Sequence, residues 1–256
     1  MSQPVVIERD GAVAILRLNR PEKRNALDLS MRSAIAAAIA ELAGDSHVAA
    51  IVITGGGSVF AAGADLNLLV DKGAQQVADL DLGQYWAPLM KCPKPVIAAV
   101  SGFALGAGCE LAMMCDILVA DSTARFGQPE VRLGIMPGAG GSQRLLRAVG
   151  KPVANLMLLT GELLGAERAA QLGLVSELTA AGCALTRALQ LAQAISAMPP
   201  KALRAIKRVV AQGADMPLEA ALALENREFL LLFDTQDKTE GMRAFLDKRP
   251  ACYTGN

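Results

Sequence analysis

Apolar and polar residues alternate near the start of the chain. Val5 and Ile7 lie on one side of Asp10-Gly11, and Val13, Ile15 and Leu18 on the other. Alternation around Asp-Gly predicts a β-hairpin, ended by Asn19-Arg20-Pro21. An alanine-rich helix is expected next, capped by Ser30 and running to about Ala43. The pattern then changes to continuous apolar runs. Residues 49–54, 96–100 and 116–120 read as three buried strands, the first stopped by Gly55-Gly56-Gly57. Residues 108–114, between the second and third, read as a helix. Strand, loop and helix in repetition mark an α/β chain.

From about Pro152 the pattern is helical, with helices expected at 181–197, 201–211, 217–232 and 239–248. Pro199-Pro200 is the best boundary, because proline forces the residue before it out of the helical region. It divides a core of residues 1–198 from a helical region of residues 199–256. That region is small to stand alone, so it packs on the core or on a neighbouring subunit. Its apolar stripe of Leu218, Ala221, Leu222 and Phe229 suits either. Residues 67–88, with Tyr85 and Trp86, are the least predictable in conformation.

Composition narrows the classes of function. The 256 residues are 52% hydrophobic and carry 25 basic against 25 acidic side chains, so nothing calls for nucleic acid or an anionic membrane as partner. The longest uncharged stretch, Pro95 to Cys109, is 15 residues, short of a membrane span. The start shows no basic segment leading into an apolar run, hence no signal peptide. Five cysteines without a CxxC pair suggest reduced thiols and a cytoplasmic location. The single histidine, His47, falls in a polar loop. With it alone, neither a zinc site nor a Ser-His-Asp triad is expected, and no metal is predicted.

Glu110 and Glu130 change this picture. Each is set in a glycine-rich, otherwise apolar frame, residues 102–112 and 126–130. A carboxylate in such a frame must be paired, protonated or put to use. A structural reading pairs Glu110 with Arg125 or Arg132. A chemical one divides acid and base work between the two glutamates, the minimum for adding water to a double bond. The segment Ala61-Ala62-Gly63-Ala64-Asp65-Leu66 permits close approach to the backbone, and equally a tight turn before a helix. The glycines before Glu110 place free N–H groups at a helix start, where developing negative charge is stabilised. They are not a GxGxxG fingerprint, and no P-loop follows.

Taken together, these segments resemble the crotonase family of enoyl-CoA hydratases and isomerases. Leu18 to Leu27, Ala61 to Leu66, Gly106 to Asp116, Phe126 to Glu130, Gly134 to Leu145 and Glu240 to Arg249 occur in the family's order. The resemblance implies an α/β fold, a spiral of repeated ββα units with a C-terminal helical region that forms trimers or hexamers. It implies an acyl-CoA thioester substrate and no cofactor, since coenzyme A is part of the substrate. The backbone N–H groups of Ala64 and Ala107 would form the oxyanion hole, with Glu110 and Glu130 as the catalytic acids. Arg24, Ala26, Ala62, Asp65 and Leu66 match the CoA-contacting region, and Phe245 and Lys248 match tail positions that reach a nucleotide site, often in a neighbouring subunit. Ala107, where many members have glycine, and residues 134–151 resemble hydratases of the dehydroadipoyl-CoA type. Retention of both acids favours a 2-enoyl-CoA hydratase over a Δ3,Δ2-enoyl-CoA isomerase. A non-catalytic acyl-CoA or RNA binder on the same fold would favour a lysine-rich first helix. The chain has instead Arg32 and Glu41 there.

Overall fold

The computed structural model describes residues 3–256. It opens with the expected hairpin, β1 (Val5–Asp10) and β2 (Val13–Leu18), turned at Gly11 with φ +58°. The first helix, α1 (Leu29–Gly44), starts one residue before Ser30. Its N-cap is Asp28, which accepts from the Met31 N–H at 2.8 Å, so Ser30 lies inside the first turn.

The centre of the chain is three ββα units. β3 (Ala50–Thr54) and β4 (Val59–Ala61) lead to the short helices α2 (Ala74–Asp79) and α3 (Ala87–Met90). β5 (Val96–Val100) and β6 (Phe103–Leu105) lead to α4 (Ala107–Met113). β7 (Ile117–Asp121) and β8 (Arg125–Gly127) lead to α5 (Gly141–Thr160). The first strand of each unit joins a six-stranded sheet of order β1-β2-β3-β5-β7-β10. The second joins a four-stranded sheet of order β4-β6-β8-β9. β9 (Leu164–Gly165), α6 (Ala166–Gln171) and β10 (Glu177–Thr179) complete the two sheets. Within the large sheet every pair except the hairpin is parallel. The spiral of ββα units is therefore present.

The continuous apolar runs follow from burial on both faces of the large sheet. Alternate residues point to opposite sides. Ile51, Ile53, Val96 and Ala98 join the main core with α1 and α4. Ala50, Val52, Ile97 and Ala99 meet α7 (Ala184–Ser196). Ala184, Ala188 and Ala192, spaced four apart, let that helix lie close to the strands.

The small sheet was absent from the sequence expectations. Its strands are two or three residues long, below the length at which a period can be read. α5 also begins before Pro152. Gly150, at φ 76° and ψ 161°, breaks it ahead of that proline.

The C-terminal region contains α8 (Pro200–Gly213), α9 (Leu218–Leu232) and α10 (Gln236–Leu246). Leu218, Leu222 and Phe229 are exposed, so this stripe is not core of the single chain. The chain end is tied down by Asp237, which accepts from the Thr254 and Gly255 N–H groups at 2.7 and 2.9 Å.

Candidate active site

Strands β4, β6 and β8 run parallel, so the residues that follow them emerge at one edge. Ligand sites of open α/β sheets lie outside the carboxyl ends of parallel strands. After β4 come Ala62, Gly63 and Ala64; after β6, Gly106, Ala107 and the helix bearing Glu110; after β8, Gln128 and Glu130. The parallel sheet thus brings together the four residues Ala64, Ala107, Glu110 and Glu130.

Two glycines fix the approach. Gly106, the N-cap of α4, adopts φ 49° and ψ −125°, a conformation that side chains resist. A Cβ there would stand 2.8 Å from Glu130 Oε1. On Gly108 a Cβ would meet the Ala61 carbonyl oxygen at 2.2 Å, so α4 lies directly against β4. The N–H groups of Ala64 and Ala107 donate to no acceptor among the described residues. Each belongs to a turn next to the paired glycines Gly63 and Gly106, whose backbones are in close contact.

Glu110 is buried. Its Oε1 accepts from the N–H groups of Ala139 and Gly141, both at 2.7 Å. Gly141 is the first residue of α5, so the carboxylate caps a helix N-terminus, where partial positive charge favours it. The turn that presents these donors is held by Arg144, whose Nη1 donates to the Ala139 carbonyl at 2.8 Å. Neither arginine suggested as its ion-pair partner serves. Arg125 donates to the carbonyls of Ser122 and Ala124, and Arg132 to that of Thr160. Glu110 Oε2 has no partner among the described residues.

Glu130 sits at the start of a 3-10 turn, Pro129–Leu133, partly buried. Burial, with a smaller contribution from the nearby Glu110 charge, raises its pKa to about 7. Hydrogen-bond complementarity turns the Gln128 amide nitrogen toward it, donating to the two carboxylate oxygens at 3.1 and 3.3 Å. Gln128 is fully buried. Sequence reasoning gave it no role, although it lies in the same frame as Glu130.

Asn25 was missed as well. It is buried at φ 54°, a left-handed conformation that asparagine tolerates. Its Oδ1 accepts from the Arg20 N–H at 2.9 Å, and its Nδ2 donates to the Phe60 carbonyl at 3.0 Å. It latches the loop of residues 19–27 to β4. The adjoining backbone bonds are Ala62 N–H to Arg24 O at 3.0 Å and Leu27 N–H to Gly63 O at 2.8 Å. Replacement by alanine removes the side-chain bonds and leaves an unfavourable φ. Asn25→Ala is expected to lose about 2–4 kcal/mol of stability, read as a shift in denaturant midpoint.

Of the remaining sequence candidates, Arg24, Ala26, Ala62, Asp65 and Leu66 lie on this latched pair of loops. Arg24 is exposed. Asp65 caps a 3-10 turn, Leu66–Leu68, accepting from Asn67 N–H at 3.2 Å. Phe245 and Lys248 do not join them in the single chain. Phe245, on α10, is 83% exposed, and no hydrogen bond among the described residues links either residue to these loops. His47 is exposed, and all five cysteines are free. Among the described residues no cluster could hold a metal ion, and no helix is long and apolar enough to cross a membrane.

Comparison with known proteins gives the chain's family. The 2,3-dehydroadipyl-CoA hydratase of Escherichia coli (strain K12) is 45% identical over 251 residues, covering 98% of both chains. The short-chain-enoyl-CoA hydratase of Clostridium acetobutylicum is 39% identical over 248 residues, covering 96% of this chain and 95% of the relative. A crystal structure of enoyl-CoA hydratase subunit I from Geobacillus kaustophilus HTA426 superposes with a TM-score of 0.96 at 40% identity over the whole of both chains. The family model described as enoyl-CoA hydratase/isomerase matches residues 8–256, and the chain belongs to that family.

Proposed function

We propose that the protein is an enoyl-CoA hydratase, adding water reversibly across the C2=C3 bond of a 2-enoyl-CoA to give a 3-hydroxyacyl-CoA. The observation that carries this reading is the pair of glutamates in unlike environments beside two unpaired backbone N–H groups. The N–H groups of Ala64 and Ala107 donate to the thioester oxygen as negative charge builds on it. A single donor of this kind is typically worth about 100–1000-fold in rate. Glu110, its Oε1 held by two N–H groups at the start of α5, uses Oε2 to take a proton from the attacking water. Glu130, raised to about 7, gives its proton to C2. Arg24, Ala26, Ala62, Asp65 and Leu66 contact coenzyme A. The exposed apolar residues of α9 and α10, Leu218, Phe229, Phe245 and Leu246 among them, form subunit contacts of a trimer or a hexamer. In that assembly Phe245 and Lys248 serve a neighbouring subunit's nucleotide site.

The direct test is the ultraviolet absorbance of crotonyl-CoA mixed with the purified protein. Rapid loss of the conjugated-thioester band supports hydration. Transfer of a 3-enoyl thioester into conjugation, without label taken from ¹⁸O-water, would replace the hydratase by the isomerase.

The proton inventory sets the pH dependence. The reactive state has Glu130 protonated and Glu110 ionised, and turnover returns one proton to the pair. Above about pH 7 Glu130 loses that proton, so kcat/KM falls with rising pH. Hydration consumes no net proton, so the equilibrium between the thioesters is independent of pH. The falling limb must therefore have the same midpoint in both directions. Measured profiles for crotonyl-CoA and 3-hydroxybutyryl-CoA should superimpose after scaling.

A further inference from the structure

Arg144 lies in the first turn of α5 and is half-buried. That end of a helix carries partial positive charge, which disfavours a cation. Among the described residues no carboxylate pairs with it. Its guanidinium makes two contacts: Nη1 donates to the Ala139 carbonyl at 2.8 Å, and Nη2 to Met90 Sδ, at the end of α3, at 3.3 Å. Neither relieves the charge, so the contribution of this side chain is geometric.

The Ala139 carbonyl accepts from no backbone N–H among the described residues; Arg144 is its donor. The N–H of the same residue, with that of Gly141, makes the two 2.7 Å bonds to Glu110 Oε1. Donors two residues apart converge on one oxygen in a concave turn. The joint between them is Gly140, at φ 94° and ψ 12°, and glycine leaves that conformation as readily as it enters it. The guanidinium fills the place of the missing side chain, since a Cβ on Gly140 would overlap Arg144 Nη1. Packing on the two sides of the joint is unequal. Gly141 rests on the buried Gln128 amide, which a Cβ there would meet at 2.8 Å, whereas a Cβ on Gly138 would meet nothing within 4 Å. The helix side of the turn is held by packing, and the upstream side by Arg144.

We infer that Arg144 is a positioning residue for Glu110. By pinning the Ala139 carbonyl it keeps the turn concave, so that Oε1 stays occupied and Oε2 stays aimed at the attacking water. The inference rests on the hydratase reading for what Oε2 does, and on the turn alone for how the carboxyl group is held. Without the guanidinium the peptide between Ala139 and Gly140 is free to turn over, the two N–H groups part, and the Glu110 side chain rotates on α4. Arg144 itself touches no reacting atom.

The test pairs activity with a reading that needs none. Hydration of crotonyl-CoA is measured in the parent, in Arg144→Met and in Arg144→Lys. Arg147→Met, at a salt-bridged arginine of the same helix, controls for lost charge and should keep parental kcat. Arg144→Met should lower kcat on the order of 10–100-fold and leave the affinity for saturated butyryl-CoA parental. Arg144→Lys keeps one donor for the carbonyl and should recover part of the loss; it carries the same readings should methionine unfold the chain. In a Glu110→Gln background, where this side chain takes no proton, Arg144→Met should cost nothing further. Parental kcat in Arg144→Met, or an equal loss in both backgrounds, overturns the assignment. The second reading is the amide proton resonances of Ala139 and Gly141 in ¹⁵N-labelled protein. Their short bonds to Oε1 place them downfield in the parent, and they should move upfield in Arg144→Met. Unmoved resonances overturn the positioning role whatever kcat does. Should the parent fail to hydrate while Arg144→Met still moves them, the positioning of Glu110 stands and the hydratase reading falls.

Discussion

Glu130→Gln should lower crotonyl-CoA hydration about 1000-fold, measured as kcat, with the bound thioester still detectable by calorimetry. General acid–base groups contribute about 100–10,000-fold, and the amide introduced at this position has no carboxyl proton to give. Glu110→Gln should be similarly impaired, because its amide keeps an acceptor for the Ala139 and Gly141 N–H groups but cannot take a proton. The double variant should lose little more than either single one, since the two residues act on one turnover as a unit. A clearly multiplicative loss would mean that the glutamates serve separate steps. Glu130→Gln also has a stability signature opposite in sign to its effect on activity. The raised folded pKa, about 7 against 4.5, means that the folded chain holds the proton more tightly than the unfolded one. Parent stability is therefore full below about pH 4.5 and declines as pH rises toward 7. Glutamine does not titrate, so the variant should gain thermal stability over the parent as pH rises through that window. Parallel melting profiles for the two proteins would remove the basis for a raised Glu130.

Gly106→Ala should cost about 100-fold in kcat and on the order of 1–3 kcal/mol of stability. The residue is at φ 49° and ψ −125°, and its new Cβ would sit 2.8 Å from Glu130 Oε1 and 3.4 Å from the carboxyl carbon. Either the carboxylate moves or the backbone turns, and the turn carries the Ala107 N–H. Both routes disturb the chemistry. Gly57, where a Cβ meets nothing within 4 Å, supplies the control; its alanine variant should be near parental in both measurements. A Gly106→Ala protein with parental kcat would show that the proposed role of Glu130 does not depend on this close approach.

The two sheets differed in how far the sequence disclosed them. Strands β3, β5 and β7 are runs of five residues buried on both faces, and burial of that kind writes itself into composition. Strands β4, β6 and β8 are three residues each. They include Phe103, 43% exposed, and the exposed Arg125. Their pairing is long-range, set by the stacking of one ββα unit on the next, and no local pattern encodes it. The glutamates were visible because charge in a glycine-rich apolar frame stands out. Their partners were not. Gln128 reads as one more polar residue near a proline, and its orientation toward Glu130 depends on the fold of β8. Arg32 reads in the sequence only as a basic residue of the first helix; α1 buries it against Trp86, a residue from the segment whose conformation was least predictable. The helix cap was misassigned for a simpler reason. Asp28 and Ser30 are both good caps, and only the backbone angles decide between them.

The Asn25 latch has an effect that reaches beyond the folding of its loop. The segment proposed to hold coenzyme A and the turn that offers the Ala64 N–H are joined by hydrogen bonds from Asn25 Nδ2, Ala62 N, Leu27 N and Asp65 N, and so move as one body. Whatever grips the nucleotide end of the substrate also steadies the donor at its reacting end. Thioesters shortened to pantetheine would then suffer in turnover as well as in affinity, because binding energy gathered far from the double bond is expressed at the carbonyl. The long handle of the substrate would be part of the catalyst's rigidity.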